Sequence, residues 1–147
     1  MPPSPAERVT DAARELNLAA RFGRMDIAVG RTTRLARQPF VAHHAGWGKA
    51  LRVVDVELVG LALDEGGKRA VVEVDVAWVR TEDSVLRGTR LEQVWRSEDG
   101  GWRLARERRT QGDLGLFGEP VETLHPAPRD VHFATKTLSS EDSTAAP

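Results

Sequence analysis

The strongest constraint on this chain is a change of hydrophobic period. Val9, Ala13, Leu16 and Ala20 recur at helical spacing, with Ala12 and Ala19 beside them, whereas from Leu51 onward apolar residues recur at every second position. Ser4-Pro5-Ala6-Glu7 reads as a capping box with proline at the first helical position. Gly23 is placed to end that helix in a left-handed conformation. A short helix is expected from Asp26 to about Val29. A third is expected from Pro39 through Phe40 and His44 to the Gly46-Trp47-Gly48 break.

The alternating half divides into four strands. Leu51 to Leu63 puts Val54, Val56 and Leu58 on one face, with Gly60 marking a bulge after which Leu61 and Leu63 take the inner phase. Arg69 to Arg80, Val85 to Arg96 and Trp102 to Arg109 follow, separated by Asp64-Glu65-Gly66-Gly67-Lys68, by Thr81 to Ser84 and by Glu98-Asp99-Gly100-Gly101. This pattern is an antiparallel meander. One face carries Val72, Val74, Val76, Trp78, Leu91, Trp95, Trp102 and Leu104. The other carries Glu73, Asp75, Arg90, Glu92, Arg96, Arg103, Glu107 and Arg109, able to pair across strands. A sheet with one apolar face must be covered, and the N-terminal helices are the long apolar elements available. The expected architecture is α+β, with N-terminal helices packed on a curved four-stranded antiparallel meander.

Composition narrows the chemistry. At 147 residues the chain suits one domain. Its 21 Lys+Arg against 22 Asp+Glu give a net charge of −1, so no overall basic field draws nucleic acid. Without cysteine there is no disulfide, thiolate nucleophile or Cys-ligated metal. No apolar run approaches the roughly 20 residues of a membrane span. Residues 1–4 read as an extension, 5–120 as the domain, and 121–147 as a largely irregular extension, mobile at least from about Lys136. The opening lacks the basic and apolar segments of a signal peptide. Cytoplasmic is the location at face value, with an exported or lipid-anchored form if a leader has been removed.

Two local motifs, together with this order of elements, carry a family resemblance. The first helix ends in RFGRMDIA (Arg21 to Ala28), similar to a Gly-x-x-Asp-x-Ala entry into a second helix. The closing hairpin, Gln93-Val94-Trp95-Arg96 to Gly101-Trp102-Arg103-Leu104, is similar to a W…GGWRL ending. From about Glu7 to Arg109 the chain resembles the NTF2-like superfamily, the cystatin-like α+β cone that includes ketosteroid-isomerase-like and polyketide-cyclase-like proteins. The resemblance implies a cone with a pocket at its mouth and, by analogy, a homodimer. Members divide among small enzymes, ligand binders and protein-contact domains, so the fold does not choose the function. Isomerase-type members pair a pocket tyrosine with a carboxylate base. This chain has no tyrosine, so that oxyanion donor has no counterpart.

The candidate site residues are few. His43 and His44 are adjacent on a helix and diverge by about 100°, which argues against both holding one metal. His125 and His132 lie in the tail, so no metal site and no cofactor are expected. His44 reads either as a pocket base or as a residue favoured near a helix C-terminus. Gln93 and Arg106 are polar residues in the inner phase. Arg106 either meets a ligand carboxylate or pairs with Asp26 or another internal acid to close the cone mouth. The expected ligand pocket is Phe22, Phe40, His44, Trp47, Trp78, Leu91, Gln93 and Arg106. Asp75 reads as a solvated ladder residue. Leu114, Leu116 and Phe117 are too apolar for a free linker and either fold back on the sheet edge or mark a partner contact. Gly112, Gly115 and Gly118 do not have the spacing of a nucleotide fingerprint. The leading expectation is non-enzymatic binding of a small hydrophobic molecule or a protein partner. Its rival is a small cyclase-, isomerase- or hydrolase-like enzyme using His44 with Arg106 or Gln93.

Overall fold

The computed structural model describes residues 2–121. Helix α1 spans Pro5–Arg21, α2 Met25–Val29 and α3 Arg37–His43. Strands β1 (Leu51–Leu63), β2 (Arg69–Arg80), β3 (Leu86–Glu98) and β4 (Gly101–Gly112) pair antiparallel in the order β1-β2-β3-β4. The expected C-terminal extension falls, apart from Val121, outside the described residues.

The capping box forms as read. The Glu7 amide donates to Ser4 Oγ at 3.1 Å and the Ser4 amide to Glu7 Oε1 at 2.7 Å. Helix α1 ends at Gly23, whose φ of +77° favours glycine. Helix α3 starts two residues before Pro39, a shift the chain tolerates because the first four amides of a helix have no intrahelical acceptor to lose.

None of the eight apolar residues expected on the inner sheet face is more than 4% exposed. Val9, Ala12, Ala13, Leu16 and Ala20 of α1 join them in one core. Each large apolar side chain so buried contributes roughly 1.5–3 kcal/mol. Between β1 and β2 the register slips at Val54 and Val59. Leu61 and Leu63 then lie opposite Val72 and Ala70, as the glycine at position 60 suggested. Strand β4 slips likewise at Ala105 and Thr110, while the β2–β3 pairing is regular. Extra residues confined to the two outer strands bend the sheet and deepen its twist. The β4 edge is covered where the Thr33 amide donates to the Leu104 carbonyl and the Leu104 amide to that of Arg31.

On the outer face the expected ladder forms in part, with Arg108 rather than Arg109 opposite Glu92. Arg90 donates twice to Asp75, at 2.6 and 2.8 Å, and Arg108 donates to Glu92 at 2.9 Å. Glu107 and Arg109 depart from it: Glu107 is buried on the inner face and Arg109 is set opposite the inner-face Leu91. After β4 the chain folds back, as one of the two readings of its apolar residues expected. The Trp47 indole donates to the Leu116 carbonyl at 3.0 Å and the Gly88 amide donates to Asp113 at 2.9 Å. Among the described residues no helix is long and apolar enough to cross a membrane.

Candidate functional site

The one chemically unusual region of the described interior is a chain of polar side chains running from α1 across β3 and β4 to the end of α3. Asn17 sits on the buried stripe of α1 and donates to the Ala13 carbonyl at 2.8 Å. It also exchanges two hydrogen bonds with Gln93, donating to Oε1 at 3.1 Å and accepting from Nε2 at 2.9 Å. Gln93 Nε2 donates in addition to Glu107 Oε2 at 2.9 Å, and the Trp95 indole donates to Gln93 Oε1 at 3.2 Å. His44 Nε2 lies 2.9 Å from Glu107 Oε1. Gln93 therefore uses both of its donors and both acceptor positions.

Strand register explains why Glu107 is the acid in this chain. The Asp99-Gly100 turn has positive φ at both residues, 51° and 77°, and pairs Glu98 with Gly101. Counting regularly from that turn would set Gln93 opposite Arg106. One extra residue at Ala105 sets Gln93 opposite Glu107 instead. Side chains alternate across a strand, so the insertion turns Glu107 inward and leaves Arg106 exposed.

Burial by itself would push the Glu107 carboxyl up. Coulombic attraction to His44, hydrogen bonds from His44 and Gln93, and the nearby His43 together outweigh that and hold it below the ordinary carboxylate value. His44 is enclosed by rings: Phe40 stacks at 4.0 Å, Trp47 lies at 4.2 Å and Phe117 at 5.6 Å between centroids. Its Nδ1 is buried without a hydrogen-bond partner.

Of the residues expected to line a pocket, Phe40, His44, Trp47, Trp78, Leu91 and Gln93 are all buried in the interior. Trp78 is held by donation from its indole to Thr89 Oγ1 at 2.9 Å. Two expectations are corrected. Phe22 is 66% exposed at the C-cap of α1, beneath the Arg21 guanidinium, because it falls off the buried stripe that ends in Ala19 and Ala20. Arg106 lies outside the inner phase for the register reason above, and its alternative partner Asp26 sits instead beside Arg24. Arg106 does line a cleft of about 170 Å³ between α3 and β4, with Leu35, Pro39, Phe40, His43 and Leu104. Asn17 and Glu107 were missed. Asn17 carried a signal, a polar residue four positions after Ala13 on the apolar stripe; Glu107 carried none. Among the described residues no group of three or more His, Asp or Glu side chains is arranged to hold a metal ion.

No family model and no curated protein matches the sequence. Solved structures do match in shape. A SEC-C motif containing protein from Rhodopseudomonas palustris superposes with a TM-score of 0.58 at 16% identity, over 68% of this chain and 77% of that one. An NTF2-like protein from Cytophaga hutchinsonii matches with a TM-score of 0.52 at 14% identity, over 69% and 93%. A protein of unknown function with a cystatin-like fold from Nostoc punctiforme matches with a TM-score of 0.52 at 14% identity, over 74% and 91%. Helices first, a four-stranded antiparallel meander after them, and these likenesses in shape agree: the chain has the NTF2-like, cystatin-like α+β fold.

Proposed function

We propose that this domain is a non-enzymatic binding module that takes a small hydrophobic molecule in the cleft between α3 and β4. The observation that carries the reading is the lining of that cleft: Leu35, Pro39, Phe40 and Leu104 give apolar walls, and Arg106 supplies one cation for an acidic group on the ligand. Leu35 is 90% exposed, a large apolar side chain left for something to cover. At about 170 Å³ the cleft is below the roughly 300–1,000 Å³ of drug-sized sites and suits a ligand of about one ring. The interior network supports the same reading, since both oxygens of Glu107 already have partners and Gln93 is saturated.

A second reading, an enzyme using His44 against Glu107, is favoured by one observation: the unpartnered Nδ1 of a buried imidazole. The experiment that separates them is a titration of the full chain with toluene followed by NMR. Binding in the cleft shifts the resonances of Leu35, Phe40 and Leu104, and Leu35→Asp weakens it at least tenfold while His44→Gln leaves it within about threefold. Toluene binding that Leu35→Asp leaves unchanged overturns the cleft as the site.

A further inference from the structure

Phe117 belongs to the short segment that follows β4, yet its ring is seated like a bound aromatic ligand. It stacks on His43 at 4.5 Å with planes 10° apart, and it lies 5.6 Å from His44, tilted by 42°. His43 also lines the α3–β4 cleft, so the seat and the cleft share a wall. The segment is irregular: Gly115 and Gly118 have positive φ, as does Gly112 at the end of β4. Around Phe117 it is tied down by donation from Trp47 to the Leu116 carbonyl and by Glu119 Oε1, which accepts from the Gly115 and Phe117 amides at 2.8 and 3.0 Å.

A phenyl ring fits this seat imperfectly. His44 Nδ1 is buried without a partner, and native interiors leave few polar atoms in that state. Phe117 brings shape and no hydrogen-bonding group. We propose that Phe117 is an intramolecular stand-in for an aromatic ligand that carries one hydroxyl, stacking on His43 and giving His44 Nδ1 the partner it lacks. A hydroxyl both donates and accepts, so it matches Nδ1 in either protonation state. The segment from Gly115 to Glu119 is then a competitor built into the chain, and a ligand must displace it. This inference rests on the reading of the domain as a binding module and names the class of its ligand.

The test uses the full chain with two rings of one size, phenol and toluene, and records affinity together with the ¹⁵N shifts of the His44 imidazole. Phenol binds roughly tenfold tighter than toluene, the worth of about one hydrogen bond, and moves the Nδ1 resonance. Phe117→Ala removes the competitor and tightens both rings by roughly tenfold. Glu119→Ala loosens the same segment without deleting an apolar side chain and moves both affinities in the same direction by less. Equal binding of the two rings, or affinities indifferent to both substitutions, overturns the inference and leaves the binding module standing. Failure of wild type and both variants to bind either ring overturns the module itself.

Discussion

The sheet carries a carboxylate–guanidinium pair on its outer face, Asp75 with Arg90, and a carboxylate–imidazole pair on its inner face, Glu107 with His44, and the two differ in geometry and in burial. Asp75 and Arg90 on the outer face make two short contacts, 2.6 and 2.8 Å, with side chains 16% and 26% exposed. Glu107 and His44 on the inner face make one contact of 2.9 Å, with side chains 3% and 0% exposed. By geometry alone the outer pair is the better one, being bidentate and shorter. Environment reverses the ranking of what each costs to break. Water re-solvates Asp75 or Arg90 when its partner is lost, whereas nothing replaces the partner of a buried carboxylate. The comparison teaches that contact geometry alone does not rank the two pairs, and that the inner pair, once built, must stay whole.

The largest expected effect follows directly. Glu107→Ala leaves His44 Nε2 and one Gln93 donor unpaired in the core, and it lowers the unfolding free energy by about 3–5 kcal/mol in urea titration. Glu107→Gln keeps the shape and one acceptor and costs less. A loss near 1 kcal/mol for the alanine variant would mean that water reaches the pair, and the contrast between the two faces would fail.

How much of this was legible follows from what each residue announces. The meander was, because Val72 to Trp78 and Leu91 to Trp95 mark their own phase with large apolar side chains at alternate positions. The helix cap was, because Ser4, Pro5 and Glu7 act on one another within one turn. Glu107 was not. After Leu104 the strand reads Ala-Arg-Glu-Arg-Arg, with no large apolar side chain to reveal that the phase had changed at Ala105. The bulge is a tertiary choice: it brings an acid rather than an arginine opposite Gln93 and within reach of His44, which comes from another element 63 positions away in sequence. Gln93 and His44 could be nominated one by one as polar residues near the interior. Their joining through Asn17 and Glu107 depended on distances that no spacing encodes.

Acid sharpens the contrast next. The Glu107 carboxyl is held below its ordinary value of 4.5 in the folded chain, so near that pH the unfolded chain binds more protons and stability rises with pH. The contribution is complete above about pH 4.5 and is lost as the pH falls through the lower folded value. Unfolding measured from pH 7 downward therefore shows an acid limb that Glu107→Gln flattens. An unchanged limb in that variant would assign the acid sensitivity to other carboxylates.

The smallest effect tests the outer face, where a bidentate contact invites overestimation. Asp75 draws on two nitrogens of Arg90 and keeps that guanidinium more firmly protonated than usual, yet both groups remain in contact with solvent. Holding two long side chains in one geometry costs rotamer entropy that offsets most of the Coulomb gain. In a double-mutant cycle of Asp75→Asn with Arg90→Gln the coupling comes out at about 0.2–1 kcal/mol. It shrinks further as salt rises from about 0.1 M to about 1 M, because the screening length falls from about 10 Å to about 3 Å. A coupling above 2 kcal/mol that salt does not reduce would place Asp75 in the same desolvated regime as Glu107. The distinction between the two faces would then rest on distance after all, with burial the lesser influence.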